Sequence, residues 1–260
     1  MPARSNDPLA GGAAYYRCVL SHRPHLLQKV DHLAAIMSFC RGQEVCGQGK
    51  SAYYLYLVIC GAARQRVFRP DGRRQIVDLL LPGDFFGFTR DGEHDSSVDV
   101  IGKETVVAGY PRRRVEAAAD SDSDLARQIC QIAFEAISRL QSQLVIVGRV
   151  TAPEKVGSFI LEMSMRLSRG RSDTVALPIT RYDIAEYLAM SVETVSRSLS
   201  DLRQRGLIQM SGTREVRIVD RDALEDCRRS AISRVAAPNG RRREPAAPLP
   251  PDSPRVRRYG

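Results

Sequence analysis

Residues 180–207, with the sequence TRYDIAEYLAMSVETVSRSLSDLRQRGL, constrain the fold of this chain more than any other stretch. Thr180 stands where a helix N-cap is expected, and Asp183 three residues later predicts a capping-box arrangement. Ser191 is placed to cap a second helix, whose inward positions recur at i, i+4 and i+7. These inward positions are Val195, Leu199 and Leu202. The pattern predicts two short helices joined by a tight turn, which is a helix-turn-helix.

The outward face of the second predicted helix carries Glu193, Ser196 and Arg197 near the helix N-terminus, where a recognition helix contacts base edges. Arg197 can donate a bidentate pair to guanine, Glu193 can accept from a cytosine amine, and Ser196 can bond to a base edge or contact a thymine methyl. We therefore predict that these three side chains read DNA bases. The alternative is a solvated face with an ion pair between Glu193 and Arg197. Contacts to the DNA backbone, or support of the motif, are predicted for Thr180, Arg181, Ser191, Thr194, Ser200 and Arg203.

The flanking segments predict a winged helix and a separate β-rich domain. After the motif, residues 207–210 and 215–219 flank a Ser-Gly-Thr turn, which predicts a small hairpin, the wing. Between residues 41 and 113, short apolar runs alternate with turn signals, and an Asp-Gly pair at 71–72 predicts a hairpin. Short strands at such regular spacing predict a sandwich or barrel, and a β-roll sensor domain fits them.

Two further helices are predicted upstream of the winged helix. Residues 24–39 carry apolar side chains at three- and four-residue spacing, which predicts an amphipathic helix. Residues 120–150 predict a longer helix capped by Ser121, with one apolar stripe. The stripe packs either on the chain's own β-roll or in a coiled-coil-like seam, and we favour the seam because such DNA readers work as dimers. The predicted seam consists of Leu125, Ile129, Ile132, Ala136, Leu140, Leu144 and Val147.

Length and charge bound the domain organisation. The 260 residues have room for two modest domains plus tails. The net charge is +9, but residues 231–260 hold seven arginines and two acidic residues, so more than half of the excess lies in the tail. Charge alone is therefore weak evidence for DNA binding. We predict an α+β fold with five segments, namely a flexible N-terminus (1–23), a sensor domain (24–119), a dimerisation helix (120–150), a winged helix (151–232) and a disordered basic tail (233–260).

Patterns typical of enzymes, membrane proteins and metal sites are missing from the sequence. There is no glycine-rich phosphate loop, no HExxH and no GxSxG, so the chain is expected not to be an enzyme. No apolar run approaches the roughly 18 residues of a transmembrane helix, and the first residues lack a signal-peptide core. We therefore predict a cytoplasmic protein without a membrane partner. The six cysteines form no CxxC pair and are expected to be reduced thiols, with no metal site.

The motifs together resemble the CRP/FNR superfamily of bacterial transcription regulators over about residues 25–225. The segment LPITRYDIAEYLAMSVETVSRSLSDLRQRGLI resembles the DNA-binding domain of that family, and RPDGRRQIVDLLLPGDFFGF resembles its β-roll. Val192 stands where the cyclic-AMP receptor branch has Arg, whereas Glu193, Ser196 and Arg197 match the Glu-x-x-Ser-Arg of the FNR-like branch. The resemblance implies a homodimer on a TTGAT-type inverted repeat of double-stranded DNA, and RNA polymerase as partner if the protein is an activator.

The ligand motifs of the superfamily are not matched. Gly87 is followed by Phe88 rather than Glu, and the later stretch at 95–98 lacks the Arg of the nucleotide-binding branch, which argues against cyclic AMP. Only Cys18 precedes residue 40, so the resemblance does not extend to the clustered cysteines that hold an iron–sulfur centre. What remains is similar to FixK-type proteins, which lack that centre and act in low-oxygen or nitrogen-oxide regulation. We predict no cofactor.

Two alternatives remain open from the sequence. The first is a haem-based sensor of carbon monoxide or nitric oxide with the same fold. The four histidines are His22, His25, His32 and His94; their spacing selects no ligand pair, and for His94 an exposed loop position is expected. The second is an adaptor whose winged helix binds protein rather than DNA.

Overall fold

The computed structural model describes residues 27–68, 72, 74–102, 104–168 and 172–226. The predicted flexible N-terminus (1–23) and the predicted basic tail (233–260) lie outside the described residues. So do the cysteines at 18 and 227 and the histidines at 22 and 25.

The N-terminal half forms two facing four-stranded sheets, as the sequence predicts for a β-roll. Their strands are β1 (Ala35–Cys40), β2 (Glu44–Cys46), β3 (Tyr54–Cys60), β4 (Ala63–Phe68), β5 (Arg74–Leu80), β6 (Phe85–Phe86), β7 (Ser97–Val100) and β8 (Glu104–Pro111). One sheet has the order β1-β8-β3-β6 and the other β2-β7-β4-β5. β3 is buried on both faces, because Tyr56 and Val58 face the space between the sheets while Leu55 and Leu57 join a second cluster with the helices.

The predicted helix over residues 24–39 is wrong. A short 3₁₀ helix, Gln28–Leu33, is followed directly by β1. β1 pairs antiparallel with β8 from Ala35↔Gly109 to Cys40↔Glu104, and Met37 and Phe39 pack against the core between the sheets. The spacing of the apolar residues is compatible with both periods, and the free edge of β8 selects the strand.

The hairpin predicted around residues 71–72 is confirmed by the pairing of β4 with β5. Its register runs from Ala63↔Leu80 to Phe68↔Arg74. Gly72 has a φ of +77°, a left-handed conformation that costs glycine least.

The long helix begins earlier than predicted and is interrupted once. Helix α1 (Arg112–Ser121) is followed by α2 (Ser123–Val147). The cap of α2 is Asp122 rather than the predicted Ser121, since Asp122 accepts hydrogen bonds from the backbone N–H groups of Asp124 and Leu125 at 3.0 and 3.1 Å. Asp122 is extended, with a φ of −132°, which ends α1 and starts α2. Lys29 donates to the same carboxylate at 2.5 Å and thereby ties the start of α2 to the 3₁₀ helix.

The C-terminal half is a winged helix, as predicted. Its elements are α3 (Ala152–Ser168), β9 (Thr174–Ala176), α4 (Arg181–Leu188), α5 (Val192–Gln204), β10 (Ile208–Ser211) and β11 (Glu215–Ile218), and residues 221–226 are again helical. Thr151 caps α3: its Oγ1 accepts from the N–H of Glu154 at 3.4 Å, and the Glu154 carboxylate accepts from the N–H of Thr151 at 3.3 Å. The three strands form one sheet in the order β10-β11-β9.

The two halves share one hydrophobic core. Ile76 and Leu79 of β5 belong to the same buried cluster as Phe159 of α3 and Tyr187 of α4. Gln143 of α2 donates from one side-chain nitrogen to the carbonyls of Ile76 and Tyr187, at 3.0 and 3.4 Å. The winged helix is therefore packed against the β-roll rather than joined to it by a loose linker. Among the described helices, none is long and apolar enough to cross a membrane.

Candidate nucleic-acid interface

The first helix of the helix-turn-helix starts with a complete capping box. Thr180 Oγ1 accepts from the backbone N–H of Asp183 at 3.3 Å, and Asp183 Oδ2 accepts from the Thr180 N–H at 2.8 Å. Thr180 has extended backbone angles, with φ −88° and ψ 168°, as an N-cap residue requires. Both orphan N–H groups are satisfied locally, so the predicted start of the motif is confirmed.

The turn between the two helices is tight. Ala189 closes α4 in the left-handed region, with a φ of +53°, and the Met190 N–H donates to the carbonyl of Ala185 at 3.0 Å. Ser191 then caps α5, since its Oγ accepts from the Thr194 N–H at 3.1 Å. A side chain in this left-handed conformation costs roughly 1–2 kcal/mol, which the packing of the two helices offsets.

The inner faces of the two helices pack as the sequence predicts. Val195, Leu199 and Leu202 of α5 are buried, and Ile184 and Leu188 of α4 belong to the same core cluster. The orientation of α5 is therefore fixed by its apolar face, and the opposite face is left to solvent.

That opposite face carries the three predicted base-reading residues together. Glu193 and Arg197 are exposed, and Ser196 is half-buried between them. Hydrogen bonds from its own backbone N–H and from Ser191 lower the pKa of the Glu193 carboxyl, with a smaller contribution from Arg197. Glu193 is therefore an ionised hydrogen-bond acceptor at neutral pH, and Arg197 is a fixed donor beside it.

Ser196 has a partner on the preceding helix. Arg181 Nη1 donates to Ser196 Oγ at 3.3 Å, which occupies one acceptor position and leaves the hydroxyl hydrogen of Ser196 available for a base. Ser200, one turn further on, donates its hydroxyl to the carbonyl of Ser196 at 3.0 Å and remains exposed. The hydroxyl oxygen of Ser200 therefore remains able to accept a hydrogen bond.

The remaining predicted support residues fall into two groups. Thr180, Ser191 and Thr194 take part in the helix caps, where Ser191 Oγ and Thr194 Oγ1 lie 3.0 Å apart. Arg203, in contrast, is an exposed side chain in the last turn of α5. Contact with the DNA backbone stays a prediction for all of them.

The wing follows α5 directly. β10 and β11 pair from Ile208↔Ile218 to Ser211↔Glu215, and Gly212 occupies the turn with a φ of +74°. Arg217 lies on β11 with its side chain exposed. The hairpin predicted from residues 207–219 is confirmed, with bounds shifted by one residue.

The apolar stripe of α2 divides between two environments. Leu125 and Ile132 are each only 1% exposed and lie in the core of the β-roll domain, so these two are not available to a partner, which corrects their assignment to the seam. Ile129 packs on the same core, while Ala136 and Val147 are half-buried. The large exposed apolar side chains lie from the middle of the helix onward and are Phe134, Ile137, Leu140, Leu144 and Val145. Phe134, Ile137 and Val145 are outside the predicted seam.

Sequence reasoning missed a buried charge cluster at the junction of the two halves. Arg166 of α3 donates to Asp84 Oδ2 and to the carbonyl of Leu79, both at 2.6 Å. Arg139 of α2 donates to Asp78 Oδ2 at 3.1 Å and lies 3.5 Å from Asp84. Burial raises the pKa of Asp78 against the opposing effect of the two arginines. No local pattern in the sequence predicts this cluster, because its members lie on β5, the turn before β6, α2 and α3.

The cluster extends to a second carboxyl and a phenol. Burial raises the pKa of Glu162 to about 6, with Arg166 acting against that shift. Burial also raises the pKa of Tyr187, and Glu162 adds to it. The C-terminal half is thus held to the N-terminal half through ionisable groups shielded from water.

His94 differs from its sequence-based assignment. His94 is buried rather than exposed, and its backbone pairs with Gly49 and Lys50 at 2.8 Å. Burial, and secondly Arg112, lowers its pKa. The Arg112 side chain beside it donates to the carbonyls of Ala52 and Gly87. Within the described residues, no group of three or more His, Cys, Asp or Glu side chains is placed to hold a metal ion.

Comparison with known families matches both halves. Residues 36–123 match the cyclic nucleotide-binding domain family, and residues 154–227 match the Crp-like helix-turn-helix domain family. The nitrogen fixation regulation protein FixK of Bradyrhizobium diazoefficiens is 38% identical over 184 residues, which cover 70% of this chain and 77% of that protein. The transcriptional activatory protein AadR of Rhodopseudomonas palustris is 33% identical over 183 residues, covering 70% of this chain and 76% of that protein.

Comparison with solved structures agrees with these sequence matches. The structure of FixK2 from Bradyrhizobium japonicum superposes with a TM-score of 0.70 at 35% sequence identity. The match covers 75% of this chain and 96% of that chain, so it includes both halves of the molecule.

Proposed function

Since this chain belongs to the CRP/FNR family of DNA-binding transcription regulators, we propose that it binds a TTGAT-type inverted repeat as a homodimer. The observation that carries the proposal is the exposed face of α5. Glu193, Ser196 and Arg197 lie together there, within the first two turns of a capped helix. This is the part of a recognition helix that contacts base edges in the major groove.

The chemistry of the three side chains suits a TTGAT element. Such a half-site contains one G·C pair, whose guanine offers the O6 and N7 acceptors that Arg197 can bind bidentately. The paired cytosine offers an N4 amine to the ionised carboxylate of Glu193. Ser196, with one acceptor position occupied by Arg181, presents its hydroxyl hydrogen to an acceptor such as thymine O4.

Two subunits are needed for an inverted repeat, and α2 supplies a surface for pairing. Phe134 is 66% exposed and Leu144 is 73% exposed, ten residues apart on one helix, with Ile137 and Val145 beside them. An exposed apolar row of this size marks a contact surface. Pairing along it would place two recognition helices in successive major grooves, about 34 Å apart.

We propose that the β-roll takes no cyclic nucleotide, although its fold belongs to the nucleotide-binding family. Asp91, Glu93 and Asp95 are exposed on the segment after Gly87, where they would repel a phosphate. A Cβ atom at Gly87 would lie 3.0 Å from the Tyr56 ring, so the backbone is closely covered there. We propose likewise that no iron–sulfur centre or haem is bound: burial raises the pKa of Cys46 to about 12, and His94 is buried, with its backbone paired to Gly49 and Lys50.

The cellular role follows from the family. We propose that the protein acts in the cytoplasm as an activator of low-oxygen or nitrogen-oxide response genes, with RNA polymerase as its partner and without enzymatic activity. The activatory relative from Rhodopseudomonas palustris supports this direction of regulation. Protein abundance, or a signal received by the β-roll, would set the occupancy of the DNA.

An electrophoretic mobility shift with a TTGAT inverted repeat tests the proposal at low and at physiological salt. The wild-type protein should shift this duplex and not a duplex of the same composition in scrambled order. Arg197→Ala should lose discrimination at one base pair, worth roughly 1–3 kcal/mol. Arg203→Ala is the matched control, because a backbone contact weakens all sequences alike and lowers the salt dependence by about one ion. A protein that shifts neither duplex at low salt would refute the regulator and favour the adaptor.

A further inference from the structure

Polar side chains of the sensor domain contact α4, the first helix of the helix-turn-helix. Side chains of the β4–β5 hairpin contact α4 at two points, one near the start of the helix and one in its second turn. The first point is formed by Arg64 and the second by Arg74 and Gln75. These contacts are separate from the buried cluster around Arg166.

At the first point, Arg64 bridges two carboxylates in different domains. It donates from Nε to Asp99 Oδ2 of β7 at 2.9 Å, and from Nη1 to Asp183 of α4. Asp99 and Asp183 are both buried. The acidic partner in the winged helix is therefore the same residue that closes the capping box of α4.

At the second point, the contact involves both side chain and backbone of Glu186. Arg74 Nε lies 2.9 Å from Glu186 Oε1, and the side-chain amide of Gln75 donates to the Glu186 carbonyl. Two attachments on one short helix restrain its rotation as well as its position. The base-reading face of α5 stays exposed in this arrangement, so the contact does not mask the DNA-binding surface.

We propose that Arg64 and Arg74 are positioning residues that set the half-site spacing which the dimer accepts on DNA. This inference rests on the proposed function, because spacing has meaning only for two subunits on one inverted repeat. In such a dimer the second recognition helix binds at an effective concentration that depends on how rigidly it is held relative to the first. A rigidly held pair rejects a repeat with one extra base pair, which displaces the second half-site by about 3.4 Å and rotates it by roughly 35°. A loosely held pair tolerates it.

Removing Arg64 breaks this one ion-pair link between the domains and leaves each of its two carboxylate partners with contacts inside its own domain. Asp99 keeps Arg66, whose Nε lies 2.5 Å from Asp99 Oδ1. Asp183 keeps both hydrogen bonds from Thr180, at 2.8 and 2.7 Å. The matched control is Arg66→Met, since it removes a comparable pair with Asp99 that lies entirely within the β-roll.

The experiment measures affinity by fluorescence anisotropy for four duplexes: a single half-site and inverted repeats of native spacing, one base pair longer and one base pair shorter. The readout is the ratio of the Kd on a shifted repeat to the Kd on the native repeat. Arg64→Met should lower this ratio by about fivefold, the upper value for a single ion pair near the surface, and leave half-site affinity unchanged. Arg66→Met should keep the wild-type ratio.

Exchanging the charges of Arg74 and Glu186 tests whether the spacing ratio can be restored. Arg74→Glu and Glu186→Arg should each lower the spacing ratio, because each places like charges together, and the double variant should restore it. A purely structural role would instead lower half-site and full-site affinity together, and the double variant would restore both together while the spacing ratio stayed constant.

Three outcomes decide the inference. A lowered ratio that the charge exchange restores supports it. A wild-type ratio in Arg64→Met, or equal losses on the half-site and the full site, overturns it while leaving the proposed function intact. If the wild-type protein fails to bind any inverted repeat, the proposed function fails, and the inference fails with it.

Discussion

Replacing Arg166 by Met should be among the most destabilising changes at the surface between the two domains. Methionine retains an unbranched stem of similar length but removes the charge and both hydrogen bonds of the guanidinium. Asp84 then keeps the backbone N–H of Leu81 at 2.7 Å and Arg139 at 3.5 Å, and it loses the 2.6 Å contact with Arg166. The carbonyl of Leu79 loses its side-chain donor as well.

The expected cost follows from this geometry. Breaking a buried ion pair by removing one partner costs about 3–5 kcal/mol, because the remaining charge is left without compensation. For a chain of this size each kcal/mol lowers Tm by roughly 2–4 °C, so the loss should be about 6–20 °C. The contrasting control is Arg205→Met, whose pair with Asp201 is exposed at 3.4 Å and worth about 0–1 kcal/mol.

Thermal unfolding followed by far-UV circular dichroism suits this chain, which contains no Trp. Adding Asp84→Asn to Arg166→Met should recover part of the lost stability, since it removes the uncompensated charge. If Arg166→Met melted within about 2 °C of the wild type, like the Arg205 control, the cluster would not hold the domains together and the assignment would be wrong.

Three further outcomes are expected. Glu162→Gln should gain stability over the wild type as pH rises: the pKa of Glu162 is raised from 4.5 to about 6 in the folded state, so its contribution is present below about pH 4.5 and lost as pH passes 6. The gain should approach 2 kcal/mol at pH 8, and a difference in Tm that is the same at pH 4.5 and pH 8 would contradict it. Leu144→Asp should yield a folded monomer by analytical ultracentrifugation, whereas an unchanged sedimentation mass would exclude this face as the seam. Thr180→Ala should lower the free energy of unfolding by about 1 kcal/mol, measured by urea titration, with Ser200→Ala as the exposed control that should change little.

The helices of the winged helix could be predicted from the sequence because capping residues and apolar spacing act within a few residues. Thr180 and Ser191 cap the helices that they precede, and the spacing of Val195 and Leu202 places both in the core. The β-roll strands were readable for a similar reason, since turn residues separate each apolar run from the next. Interactions between residues close together in the chain can therefore be predicted from the sequence.

Features that depend on distant partners left no such pattern. β1 is a strand because it pairs with the edge of β8. The apolar spacing of residues 24–39 carries no information about that distant partner. An apolar stripe on α2 was predicted, but only the fold decides that Ile132 faces the β-roll and Leu144 faces solvent. Arg166 and Asp84 are 82 positions apart, and nothing near either residue in the sequence indicates the other.

Helix α2 has a consequence for how the length of this chain can vary. Ile132 faces the core of the β-roll, Arg139 and Gln143 face the junction with the winged helix, and Leu144 faces outward. One inserted residue before Arg139 would rotate everything after it by about 100° around the helix axis, so the junction side chains would turn to solvent while the apolar row turned inward. An insertion of seven residues would restore the faces to within roughly 20°, but it would also move Arg139 and Gln143 about 10 Å along the helix axis, away from their partners on β5. The length of this helix between Ile132 and Arg139 is therefore fixed both by rotation and by rise.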